Sequence, residues 1–125
     1  MIQTVLTWLR GYPGLEGLQP EHLGPCPGDA GLFFRGLTLE SSRQDLLGRK
    51  FHRKSLEFYL ERHCAGDSGT LWLREFSRWA EANPPVLGDE SILHCRQGQV
   101  VARDETGIQR CRLQLYFEFT ETLEA

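Results

Sequence analysis

Apolar positions recur along this chain with two different periods, and the switches between them mark out its elements. Ile2, Val5, Leu6 and Leu9 fall three or four apart, the spacing of one helix face. Gly11 and Pro13 follow and supply a stop. A short first helix is therefore predicted over residues 2–10, with Trp8 flanking its apolar stripe. Residues 11–36 then hold seven Gly and four Pro, which predicts an irregular but ordered loop. Leu15, Leu18, Leu23, Leu32, Phe33 and Phe34 are interspersed there and would lay that loop on the core.

From Gly31 the alternation becomes that of a strand. LFFRGLTLE predicts one or two strands interrupted at Gly36, SSRQDLLG a polar break, and RKFHRKSLEFYLERHC a long strand running to about Arg62. Within it Leu56, Phe58, Leu60 and, by extension, Cys64 share one face, while Glu57, Tyr59 and Glu61 share the other. Trp72, Phe76, Trp79 and Ala80 recur at i, i+4, i+7 and i+8. That predicts an amphipathic helix from about Thr70, capped by Asp67 or Ser68 and ended by Asn83-Pro84-Pro85.

The last third reads as a hairpin: residues 92–103, a turn at Asp104-Glu105-Thr106-Gly107, and a return over 108–122. In the returning strand Cys111, Leu113, Leu115, Phe117 and Phe119 point one way. In the outgoing strand Val100 and Ala102 are out of phase with Leu93 and Cys95. One extra residue near Gly98 flips the alternation and reconciles them. The order is helix, loop, two or three strands, helix, two strands. It predicts one α+β domain over residues 1–125: an antiparallel sheet of about four to five strands with two helices packed on one face.

Composition narrows the function more than the fold. A net charge of −3 is the wrong sign for a chain built around general nucleic-acid binding. The longest apolar run, within residues 113–119, is too short to span a bilayer, and MIQTVLTWLRGYP lacks the features of a signal peptide. The four cysteines are widely spaced with no CxxC, and without an export signal they are expected to be reduced core thiols.

The chemistry-bearing residues yield no catalytic signature, so no enzyme, cofactor or metal is predicted. His63-Cys64 and His94-Cys95, with His22 and Cys26, raise the question of zinc. Zinc needs four converging N/S ligands, whereas neighbours on a strand point to opposite faces, and Gly24 and Pro25 lie between His22 and Cys26. The basic cluster is the remaining candidate. Arg43, Arg49, Lys50, Arg53, Lys54 and Arg62 fall within twenty positions and give that stretch a charge of +3, against −6 for the rest. A local cationic strip on an acidic chain favours contact with a neighbouring protein surface, such as the Glu118, Glu121 and Glu124 edge, over phosphate. The expected interface residues are Arg43, Arg49, Lys50, Arg53 and Lys54.

From end to end the chain resembles the small tail-associated proteins of siphophages and prophages in Firmicutes, filed as minor capsid or tail-terminator-like proteins. The resemblance rests on IQTVLTWLRGYP, EHLGPCPGDAGLFFRG, SRQDLLGRKFHRKSLEFYLER, LWLREFSRWAE and CRLQLYFEFTE, in that order. It implies helices packed on an antiparallel sheet, and assembly of several copies, commonly six, into a ring at the head-proximal end of the tail. Tail-tube and head-connector proteins would be the partners. The protein would then be a virion component made in the bacterial cytoplasm, with no membrane association and no shared catalytic residue. The alternative expectation is a cystatin-like roll binding a small ligand among Trp72, Trp79, Phe117 and Phe119.

Overall fold

The computed structural model describes residues 1–25, 28–101 and 104–123. Seven elements follow in order: α1 (Ile2–Leu9), β1 (Gln19–Pro20), β2 (Ala30–Gln44), β3 (Lys50–Ala65), α2 (Gly69–Ala82), β4 (Asp89–Val101) and β5 (Ile108–Leu123). The strands form one five-stranded sheet ordered β1-β2-β3-β5-β4. The fold is α+β, as its pattern predicts. The sheet is mixed, however: the four long strands pair antiparallel, but β1 lies parallel to β2 through Gln19 and Pro20. Two residues, one of them a proline, carry no alternation, so this edge strand was invisible in the sequence.

Strand phase decides which way each side chain points. β3 and β5 stay in continuous register from Lys50↔Leu123 to Ala65↔Ile108. Leu56, Phe58, Leu60 and Cys64 therefore share a face with Cys111, Leu113, Leu115, Phe117 and Phe119, and all nine are buried. Both helices pack on this face. Trp8 of α1 meets Phe117 edge-on at 6.1 Å. At the start of α2, a Cβ on Gly69 would come within 2.8 Å of Cys111 Sγ. The expected stripe of α2 holds, with Trp72, Phe76 and Ala80 buried. The two helices are tied to each other by Trp8 stacked on Trp79 at 5.2 Å and by the Trp8 indole N–H donating to the Asn83 carbonyl at 2.7 Å. The Gly/Pro-rich loop lies on the same core through buried Leu15 and Leu18.

Three local expectations are settled by the pairing. The outgoing strand β4 shifts register between Arg96 and Gln99, around Gly98, and this places Val100 opposite Cys111 and against the core; Ala102 and Arg103 lie outside the described residues. Ser68 does precede α2, but its hydroxyl makes no capping bond and donates instead to the Ala65 carbonyl at 2.8 Å. The polar run Ser41-Ser42-Arg43-Gln44 is no break: it continues β2 and pairs with residues 50–53 of β3, and the chain reverses only at 45–48. Polarity there marks solvent on both faces rather than a turn.

Candidate interface on the β2–β3 arm

Sheet and helices do not match in length. Sixteen residues of β3 at about 3.3 Å each reach about 50 Å, whereas the fourteen-residue α2 at 1.5 Å each covers only about 21 Å. The helix-covered zone therefore ends near Leu56. Beyond it β2 and β3 run on as an arm, backed by the end of β5, and every residue of β2 from Leu37 to the strand's end is exposed. Leu37, opposite Leu56 at its start, and Leu39, opposite Lys54, lie exposed along the edge strand of this arm.

The tip is rigidly built. The Asp45 amide donates to the Arg49 carbonyl at 2.9 Å, the Gly48 amide to the Asp45 carbonyl at 3.2 Å, and Gly48 has φ 84°. A positive φ at the third loop position is the usual requirement of a three-residue hairpin loop and explains a glycine there. Asp45 Oδ1 accepts the Leu47 and Arg49 amides at 2.9 and 3.0 Å, while its Oδ2 accepts Arg49 Nε at 2.8 Å. Slight burial would raise the Asp45 carboxyl, but these Arg49 and Leu47 hydrogen bonds outweigh it and hold the group below its ordinary value. What this turn displays is apolar: Leu46 and Leu47 are 105% and 78% exposed. Two adjacent leucines on an ordered turn cannot be reached by the chain's own core, so their placement favours contact with another molecule.

The five basic residues expected at the interface divide in two. Arg43, Arg49 and Lys50 sit beside the tip, with the Arg43 and Arg49 guanidinium carbons 4.3 and 5.9 Å from the centre of the Phe51 ring. Arg53 and Lys54 are engaged within the chain. Arg53 donates to the Glu90 carbonyl at 2.9 Å and to Thr120 Oγ1 at 3.0 Å. Lys54 pairs with Glu121 at 2.9 Å, so part of the acidic edge expected to meet a neighbour is met internally; Glu124 lies outside the described residues. Arg62 faces the helices, over the Trp72 ring at 5.1 Å.

The face of the sheet away from the helices is a second surface that sequence reasoning missed. Tyr59 is sandwiched between Arg35 and Arg112, at 5.4 and 3.9 Å, and Arg96 lies over Tyr116 at 4.0 Å. Buried Gln114 joins the strands by accepting from Arg96 Nε at 2.7 Å and donating to Glu57. Cross-strand register brings these pairs together, and a lone sequence does not display register.

Cys64 and Cys111 pack in the core and Cys95 against it, whereas His94 is half exposed beside Glu118. Cys64 and His63 point to opposite faces of β3, and among the described residues no group of three or more His, Cys, Asp or Glu is arranged to hold a metal; Cys26 lies outside them. Cys95 is pushed up to about 12 by burial and by nearby Glu81, the reverse of an activated nucleophile. Trp72 stacks on Phe76 at 5.1 Å, Trp79 on Trp8, and Phe117 meets Phe58 at 6.1 Å, so these rings fill the core instead of lining a ligand chamber. No described helix is long and apolar enough to cross a membrane. Compared with known proteins, the chain matches no family model, no curated protein and no solved structure.

Proposed function

We propose that this protein is a structural, non-enzymatic subunit of a phage or prophage virion, of the tail-completion or head–tail joining (minor capsid) class, that works by assembling with copies of itself into a ring. The observation that carries this reading is the arm: a stiff, three-stranded projection presenting Leu46 and Leu47 beside Arg43, Arg49 and Lys50. An exposed apolar pair supplies contact energy, and flanking cations supply register and orientation. The arm and the surface it would meet are different patches of one chain, and such head-to-tail contacts close into rings or run on as filaments. The end-to-end resemblance to tail-terminator-like proteins supports the same reading, with the tail tube and the head connector as partners. A component made in the bacterial cytoplasm and finished as part of a particle needs assembly surfaces more than a pocket.

Light scattering on the purified chain, with negative-stain images taken alone and with tail-tube protein, tests the proposal. Rings, or tubes whose growth stops when the protein is added, are expected. A strict monomer that leaves tube length unchanged would sink it.

A further inference from the structure

Two of the buried thiols are much closer than packing requires. Cys64 Sγ and Cys111 Sγ lie 3.1 Å apart, within the core and 4% and 0% exposed. They sit diagonally on adjacent strands, since Arg62 is opposite Cys111 and Cys64 is opposite Gln109. The surroundings favour a sulfur anion at this point. The first turn of α2 rests on Cys111, with Gly69 so close that a Cβ would stand 2.8 Å from the sulfur, and a helix N-terminus stabilises negative charge. The Arg62 guanidinium is held on the same face, over Trp72. The Cys111 contact lowers the Cys64 thiol to about 7 against the opposing effect of burial, with Arg62 assisting, while the same contact and burial push Cys111 up. The two thiols thus share one readily lost proton. Cys64, beside the end of β3 and the less deeply buried of the two, is the sulfur that a reagent entering from the strand end meets first, with fully buried Cys111 behind it.

The geometry points to Cys64 and Cys111 as an oxidation site: a dithiol that closes to an internal disulfide when the protein meets a small peroxide. The Cys64 thiolate attacks one oxygen of hydrogen peroxide and the O–O bond breaks. A sulfenic acid remains on Cys64, and the departing hydroxide takes up the proton shed by the thiol to become water. Cys111 Sγ then attacks Cys64 Sγ as it loses its own proton, the S–O bond breaks, and a second water leaves. Two thiols lose two electrons and one peroxide becomes two waters. The sulfurs close by about 1 Å to reach the 2.05 Å disulfide bond. Cys64 is the next-to-last residue of β3, so fraying of that strand end admits a reagent as small as peroxide. The bond would tie β3 to β5 across a loop containing α2 and β4, its two ends 47 positions apart. It would reinforce the fold only in oxidising surroundings. This inference stands on the thiol geometry and is independent of the ring reading.

The test uses the full wild-type chain, freed of reductant, treated with hydrogen peroxide at mildly alkaline pH and digested without reduction. A Cys64–Cys111-linked peptide is expected, with an intact mass lower by about 2 Da. The Tm should rise by roughly 10 °C over the dithiothreitol-treated sample. Cys95→Ser should retain both effects. In Cys111→Ser the Tm gain should vanish and a dimedone-reactive sulfenic acid should persist on Cys64. The exposed Met1 reports the oxidant dose within the same digest. If Met1 is oxidised while Cys64 and Cys111 remain free thiols, or if another cysteine pair forms the principal link, the inference is overturned. The wild-type digest decides this even should a variant fail to fold.

Discussion

The two ends of the long β2–β3 hairpin are built by opposite rules. At the helix-covered end, side chains interlock: Phe58, Phe117, Phe76 and Leu60 are fully buried, Trp8 of α1 stacks on Trp79 of α2, and Phe117 of the sheet meets Trp8 and Phe58 edge to face. At the arm end the same two strands carry polar residues on both faces and finish in two leucines with nothing of their own chain upon them. The first end spends its apolar surface on holding the fold, and the second presents it outward. Strand length is the physical cause, because a sheet longer than its helices must leave one end bare. Removing the same amount of apolar surface at the two ends should therefore affect different properties.

The largest effect on stability is expected from Phe117→Ala, which empties the point where α1, β3 and β5 meet. A loss of about 3–5 kcal/mol is expected in urea denaturation, enough to unfold many domains of this size. Next comes Gly69→Ala. Its methyl group would press on Cys111 Sγ, Gln109 Oε1 and Val100, all within 3.1 Å, and should cost about 1–3 kcal/mol by overpacking; an unchanged midpoint would show that α2 can shift freely on the sheet. Lys54→Ala removes a partly exposed pair with Glu121, so about 1 kcal/mol or less should be lost, and less still at high salt. A Lys54→Ala loss as large as that of Phe117→Ala would count against the contrast.

At the tip the fold should scarcely respond. The Asp45 carboxyl is held below its ordinary value of 3.8 by the Arg49 and Leu47 bonds despite opposing burial. A depressed carboxylate contributes order that is present above the ordinary value and is lost as pH falls through the depressed one. Amide chemical shifts of Leu47 and Arg49, followed downward from pH 5, should therefore move together below pH 3.8 while core resonances stay put. A core that melts in step with the tip would erase the distinction between the two ends.

Much of the covered end was legible in the sequence, because burial imposes a period. Leu56, Phe58 and Leu60 on β3 and the run from Cys111 to Phe119 on β5 show their faces directly, and the slip near Gly98 shows as a break of phase. The arm was harder to read because solvent on both faces removes the period; Ser41 to Gln44 looked like a loop and Leu46-Leu47 like part of it. A leucine pair inside an otherwise polar turn was the available signal. Of the five basic residues, sequence could cluster them but not divide them. Whether Arg53 and Lys54 face Thr120, Glu90 and Glu121 depends on how residues 37 and 67 positions apart are brought together by strand register. The approach of Cys64 to Cys111 was hidden for the same reason.

The most direct test of the account is the mass of the particle in solution when the arm tip alone is changed. Sedimentation equilibrium should find the wild type as an assembly of several chains. Leu46→Asp combined with Leu47→Asp should be a monomer whose unfolding free energy differs by no more than about 0.5 kcal/mol. If the double variant assembles as the wild type does, or if it loses its fold along with its assembly, the arm is not the assembly surface.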